Sequence, residues 1–398
     1  VKKLSVGIIL GENIPSYRAH SFNVLKMAQG FKNIGCNVEV ITSENKNTVK
    51  YQEKIKDIYA HYGINKKIKI TYLIPSRKAY ERGKTKHDPV FCENTLSYIK
   101  KKNFDFVFCR SNYLMPYLTV REGIPTFLET HDRHKINSPE MRRFADEVAH
   151  LDAFKGIVTI HDELKLELIN GGYPTKKILV LEDGVDKDRF EISNDKRLWR
   201  KKLGFNPDQL YAVYCGHLYK EKGIEVILQA AKKLQELKNL VFLLVGGNER
   251  NKQIWENYCI KHAIGNVTFI GFVPNARVPE YLKIADCLLL AYKIKNMNYK
   301  IMDIQTTSPL KLFEYMASKR PIIATNIPTI SKVLQHESNA LLVRPDDITE
   351  FCKGIRRVLA DQILSSHLSE KAYQDANRYT WEERCKSIVQ LFEKKREF

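Results

Sequence analysis

The strongest constraint in this chain is a rhythm that runs twice. Short apolar runs alternate with longer segments of helical period, the pattern of parallel α/β layers. In the first run, strands are expected at Ser5–Leu10, Val38–Thr42, Ile68–Leu73, Phe104–Cys109, Thr126–Glu129, Gly156–Ile160 and Ile178–Leu181. Between them lie helical stretches such as Ser21–Ile34, where Phe22, Leu25, Met27, Ala28 and Phe31 repeat near helical period and Gly35 offers a stop. The rhythm breaks at Glu182-Asp183-Gly184-Val185-Asp186 and a polar stretch over 188–195. It then resumes, with strands expected at Tyr211–Cys215, Val241–Val245, Val267–Ile270, Cys287–Ala291, Pro321–Ala324 and Ala340–Val343. Helices are expected between them at Gly223–Leu237, Pro279–Ile284 and Leu310–Ser318. Two such runs imply two doubly wound domains, over 1–187 and 188–375, with carboxyl-end loops facing a cleft.

A length of 398 residues is enough for two hydrophobic cores. With 43% hydrophobic and 28% charged residues, a disordered or fibrous chain is excluded. The net charge of +19 favours an anionic partner. That charge is uneven: residues 50–102 hold fourteen Lys and Arg against five Asp and Glu, interleaved with Tyr62, Tyr72 and Tyr80. Such a surface suits anionic lipid headgroups, and a solvated lysine-rich face is the plainer alternative. No RNA- or DNA-binding module is visible, so nucleic acid is not an expected partner. No apolar stretch reaches 18 residues, and the opening Val1–Gly11 reads as a buried strand rather than a secretory signal. The expectation is a cytoplasmic protein, peripheral on the inner face of the plasma membrane if it meets lipid at all. Eight scattered cysteines with no CxxC or Cys/His cluster argue for reduced core thiols and against a structural zinc.

Two segments carry the chemistry of an anion site. Tyr214-Cys215-Gly216-His217-Leu218 followed by Lys220-Glu221-Lys222-Gly223 places a glycine and a basic loop between a strand and a helix. Free amides at a helix N-terminus and a lysine ammonium are what a diphosphate needs. Further on, Thr306-Thr307-Ser308-Pro309-Leu310-Lys311 opens another helix, with Ser308 as N-cap and Pro309 in the first turn. Glu314 lies too far in for capping; a carboxylate there can accept from a ribose diol or simply face solvent.

These segments resemble a GT-B glycosyltransferase of the retaining family GT4. Asp183-Gly184-Val185-Asp186 with Phe190 resembles the family's interdomain signature, and Gly216-His217-Leu218…Lys222-Gly223 its basic loop. Leu244-Val245-Gly246-Gly247 resembles the turn after its second nucleotide-side strand. Gly271-Phe272-Val273-Pro274…Tyr281…Ala285-Asp286 resembles its nucleobase segment, and Ser308–Ala317 with Pro321–Thr325 its donor-binding helix and following strand. Tyr379-Thr380-Trp381 resembles the start of the last helix, so that 376–398 would cross back and complete the first domain.

The resemblance implies roles. His131, Lys222 and Glu314 would be catalytic: Lys222 on the donor diphosphate, Glu314 on the ribose hydroxyls, His131 beside the donor sugar. Gly216, His217, Gly246, Phe272, Val273, Thr306, Thr307, Ser308, Pro309, Leu310 and Lys311 would line the donor site. Gly11, Arg18 and His20 would face the acceptor. Thr306 stands where the family carries the first glutamate of its E-x7-E motif, and His217 where an arginine is common. Because a histidine is mostly neutral at pH 7, Lys222 would carry more of the diphosphate charge. Asp186-Lys187-Asp188 lies inside the interdomain signature and reads as a connector, not a metal site. No cofactor and no essential metal are implied. The implied reaction is retaining transfer of a sugar from a nucleotide-diphosphate donor, UDP-sugar before GDP-sugar, to a hydroxyl of a glycan or lipid-linked acceptor in bacterial surface polysaccharide synthesis. A soluble small acceptor and a catalytically silent nucleotide-sugar-binding protein are the alternatives.

Overall fold

The computed structural model describes residues 3–110, 113–131, 133–294 and 310–394. It divides into two compact units: Val1–Asp183 with Thr380–Phe398, and Gly184–Tyr379.

The first unit holds a seven-stranded sheet of β1 (Ser5–Leu10), β2 (Asn37–Ser43), β3 (Lys69–Leu73), β4 (Phe106–Arg110), β5 (Thr126–Glu129), β6 (Phe154–Thr159) and β7 (Ile178–Val180). Every pairing is parallel and the order is β3-β2-β1-β4-β5-β6-β7. β1 and β4 are almost wholly buried, as parallel strands covered by helices on both faces must be. The C-terminal helix Trp381–Lys394 belongs to this unit and lies against the helix Ala19–Asn33. The approach is close at Gly30, where a Cβ would come within 2.8 Å of the Trp381 carbonyl oxygen.

The second unit holds β8 (Leu210–Cys215), β9 (Leu240–Val245), β10 (Val267–Gly271), β11 (Cys287–Leu290), β12 (Ile322–Thr325) and β13 (Leu341–Val343). These six strands are parallel in the order β10-β9-β8-β11-β12-β13. Successive side chains of β8 go to opposite faces, as strand geometry requires. Tyr211, Val213 and Cys215 join a core with Leu312, Phe313 and Tyr315, while Ala212 and Tyr214 join another with Ile227, Phe351 and Ile355. In both sheets the strand order reverses beside the first strand, at β1/β4 and at β8/β11. The loops leaving the carboxyl ends there are where open α/β sheets bind ligands. All eight cysteines are buried and free.

Candidate active site

In the second unit the site begins where β8 ends. The Tyr315 hydroxyl, from the helix Leu310–Ala317, accepts from the Cys215 amide at 2.7 Å and lies 3.3 Å from the Cys215 carbonyl oxygen. That clamp fixes the turn at Gly216 (φ +149°). Gly246, at φ +110°, turns directly against it: a Cβ on Gly246 would sit 2.4 Å from the Gly216 carbonyl oxygen. The following loop is pinned by Tyr214, whose hydroxyl donates to the His217 carbonyl at 2.6 Å, and by Trp255, whose indole N–H donates to the Leu218 carbonyl at 2.8 Å.

Lys222 closes the short helical turn Lys220–Lys222 and its ammonium lies 5.2 Å from the centroid of the Tyr292 ring. The Lys311 ammonium donates to the Tyr214 hydroxyl at 2.8 Å and lies 4.2 Å from that ring's centroid and 5.6 Å from that of Tyr292. Among the described residues neither ammonium has a carboxylate in ion-pair contact. Burial depresses the pKa of both lysines, and for Lys311 the neighbouring Lys222 charge adds to it. Burial, then Lys311 and Lys222, depress His217, so its ring, stacked on Tyr219, is neutral at pH 7. Glu221 pulls weakly against the burial of Lys222, but two lysines resting on aromatic rings with no ion-paired carboxylate among the described residues suit an added anion. Glu314, three residues beyond Lys311 on the same helix, accepts from the Asn275 amide at 3.1 Å.

In the first unit, Arg110 ends β4 and Glu129 ends β5. Arg110 Nη1 lies 3.0 Å from Glu129 Oε1 and donates to Asn23 Oδ1 at 2.9 Å, while Asn23 donates to Asp183 at 2.7 Å. Arg384 of the C-terminal helix reaches the same Glu129 carboxylate, which has no solvent exposure. Burial pushes that carboxyl up, but the Arg110 and Arg384 guanidiniums hold it well below the usual range. His131 Nε2 lies 2.6 Å from Glu129 Oε1 and Nδ1 lies 3.2 Å from Arg110 Nη2. Burial and Arg110 depress the His131 pKa against the opposing pull of Glu129, leaving a neutral, oriented ring.

The loop after β1 opens on a cavity of about 620 Å³ at the carboxyl ends of β1–β3. Gly11, Arg18 and His20 line it, with Glu12 between them. Glu12 Oε2 lies 2.8 Å from His20 Nδ1 and Oε1 lies 3.4 Å from Lys86 Nζ. Burial raises the Glu12 pKa, but His20 and Lys86 outweigh it and hold the carboxyl at about 2. Among the described residues no group of three or more His, Cys, Asp or Glu could hold a metal ion.

The family described as "Glycosyl transferases group 1" matches residues 195–375, which span the whole second sheet. That stretch is a group 1 (GT4) glycosyltransferase domain. This glycosyltransferase, an enzyme of class EC 2.4 acting on nucleotide sugars, has the GT-B fold. Over 318 residues it is 22% identical to an uncharacterized glycosyltransferase of Methanocaldococcus jannaschii, covering 78% of this chain and 76% of that one. Over 196 residues it is 28% identical to TuaC of Bacillus subtilis, named for teichuronic acid biosynthesis, covering 49% of this chain and 45% of TuaC. Its structure matches that of Anabaena HepE in complex with UDP-glucose with a TM-score of 0.72 and 12% identity, over 98% of this chain and all of that one.

Of the residues expected in the glycosyltransferase's donor site, Gly216, His217, Lys222, Lys311 and Glu314 gather around the β8 turn. Gly246 lies directly against Gly216. Leu310 opens the helix that carries Lys311 and Glu314. Phe272 is 54% exposed in the loop after β10, and Val273 packs against the sheet's core. Thr306, Thr307, Ser308 and Pro309 lie outside the described residues. His131 sits in the first unit's ion-pair cluster, and Gly11, Arg18 and His20 share the cavity. The reading from sequence missed Tyr214, Tyr292, Tyr315, Asn275, Arg110 and Arg384. Arg110 had a visible signal, a lone charge closing the otherwise apolar run Phe-Val-Phe-Cys.

Proposed function

We propose that this glycosyltransferase takes a sugar from a UDP-sugar and moves it, with retention, to a hydroxyl of a glycan or lipid-linked acceptor in surface polysaccharide synthesis. The observation that carries the donor reading is the pair of lysine side chains, Lys222 and Lys311, at the β8/β11 switch point, neither in ion-pair contact with a carboxylate among the described residues. As the glycosidic bond breaks, the leaving diphosphate gains negative charge, and cations held in place before that moment stabilise the transition state more than the ground state. The backbone amides of Ser308 and Leu310 would share that load. Glu314, steadied by Asn275, would accept from the ribose hydroxyls, and Phe272 and Val273 would border the base.

His131 is neutral and held by Glu129, so its role is contact with the sugar and fixed polarity beside the reacting carbon rather than proton relay. With no covalent nucleophile assigned, retention follows from attack on the face the diphosphate leaves, the phosphate taking the acceptor's proton. UDP is preferred over GDP because HepE, which shares the fold, was crystallised with UDP-glucose. The name of TuaC supports a surface-polysaccharide acceptor. No helix among the described residues is long and apolar enough to cross a membrane. The basic segment 50–102 would bring the enzyme to the inner membrane face.

The test is thermal stabilisation by UDP, GDP and ADP, with and without EDTA, since a ligand that binds only the folded state raises the melting temperature by mass action. A shift with UDP above GDP and ADP, unchanged by EDTA, is expected. No shift with any nucleotide contradicts the donor site. Release of UDP from a UDP-sugar separates an enzyme from a silent binder.

A further inference from the structure

The cavity beside β1 is unusual in its charge. Five cationic side chains, Arg18, Lys78, Arg82, Lys84 and Lys86, line it against two carboxylates, Glu12 and Asp88. Both carboxylates are already engaged. Asp88 accepts from the Ser76 amide at 2.9 Å, the Ser76 hydroxyl at 2.6 Å and the Phe91 amide at 2.9 Å, so it serves as a helix cap. Glu12 is divided between His20 and Lys86.

Lys86 is the informative member. Its side chain is only 17% exposed, and its distance of 3.4 Å from Glu12 is long for a charge-assisted bond. Burial and the nearby Lys135 ammonium push its pKa down to about 8 against the pull of Glu12. A half-buried cation that shares one carboxylate with His20 and is pressed by a second cation is only partly compensated, and an added anion relieves it. The cavity is also preformed. Thr42 donates to the Glu12 carbonyl at 2.6 Å, Thr85 donates to the Gly11 carbonyl at 3.0 Å, and Asn45 donates to Asn13 at 2.6 Å. At about 620 Å³ it is the size of a small-ligand site, large enough for a sugar with an attached anionic group.

We propose that this cavity binds the acceptor through a phosphate group, with Lys86 at its base and the Arg82 and Lys84 side chains closing over the remaining oxygens. A neutral sugar would leave the surplus cations unmatched; a phosphate dianion accepts from several donors at once. The proposal rests on the transferase reading and deepens its acceptor side. Two sources share this chemistry, a soluble sugar phosphate and the phosphate of a lipid headgroup.

The experiment titrates UDP-saturated protein with glucose 1-phosphate, with glucose as the neutral control. In parallel, co-sedimentation is measured with phosphatidylcholine vesicles, with and without phosphatidic acid. Both are repeated on Lys86→Gln, on the double variant Arg82→Gln/Lys84→Gln, and on Lys222→Gln without UDP. Glucose 1-phosphate binding that glucose does not share, weakened about tenfold or more in Lys86→Gln, supports a soluble phosphate acceptor. Binding confined to phosphatidic acid vesicles and lost in Lys86→Gln supports a lipid phosphate. In either case the double variant weakens binding as well. The proposal is overturned if neither probe binds, if binding survives both cavity variants, or if Lys222→Gln alone abolishes it, which would locate the phosphate in the donor site. UDP affinity in the Lys86→Gln protein reports that the fold is intact. Wild-type protein that binds UDP but no phosphate probe contradicts this proposal alone, whereas failure to bind UDP contradicts the donor reading.

Discussion

A lysine side chain resting over a tyrosine ring loses part of its hydration, and Lys222 and Lys311 are both in that state. What holds them there is backbone geometry at two glycines. Gly246 turns so close against Gly216 that a Cβ on it would sit 2.4 Å from the Gly216 carbonyl oxygen. Gly246→Ala should cost about 2 kcal/mol or more, since it adds a steric clash to a backbone conformation that L side chains rarely adopt. Denaturant unfolding of the variant checks this. Glu12 gives a second residue-scale expectation. Its folded pKa of about 2 lies below the ordinary carboxyl value of 4.5, so its contribution to stability is present above pH 4.5 and is lost as pH falls toward 2. Glu12→Gln should therefore be less stable than wild type at pH 7, by on the order of 2 kcal/mol, with the gap closing in acid. Glycines and lysines of this kind are legible in a sequence because the residue type itself carries the signal. The tyrosines are not: Tyr214, Tyr292 and Tyr315 sit among apolar runs and look like core until the fold brings their hydroxyls and faces to the site.

At the level of elements, the thirteen strands among the described residues were all visible because buried parallel strands are nearly continuous apolar runs bounded by turns. Their ends moved by a residue or two, and at β4 that small difference mattered. The expected strand stopped at Cys109, while the observed one includes Arg110, the residue that meets Glu129 and His131. Arg384 was illegible for another reason. Its partner Glu129 is 255 residues away, and nothing local to the last helix marks one arginine above the others. That helix should be more than a lid on the sheet. Arg384 also donates to the Glu182 carbonyl at 2.9 Å, so it ties the C-terminal helix to β5 and to the end of the first unit's N-terminal segment. Arg384→Ala leaves Glu129 fully buried with Arg110 as its remaining guanidinium, and should destabilise by about 3–5 kcal/mol. Chemical denaturation followed at two wavelengths measures this.

Over the whole molecule, the two sheets share the same order of strands and put charge at the same place, beyond the carboxyl ends near the switch point. The second sheet gathers lysines and a histidine there; the first gathers a compensated ion-pair cluster and, beside it, an uncompensated basic cavity. Binding of nucleotide and of phosphate should therefore both weaken as salt rises, while the buried Arg110–Glu129–Arg384 cluster, screened far less, should keep the fold intact over the same range. Titrations from low to physiological salt, with melting temperatures recorded alongside, check that pairing. The central claim is that Lys222 holds the donor's diphosphate. Calorimetric titration of UDP into wild type and Lys222→Met tests it most directly. The account predicts binding to wild type and an affinity at least about tenfold weaker in the variant, with the melting temperature of the free protein preserved. Equal affinity in the two proteins, or no binding to wild type, would contradict it.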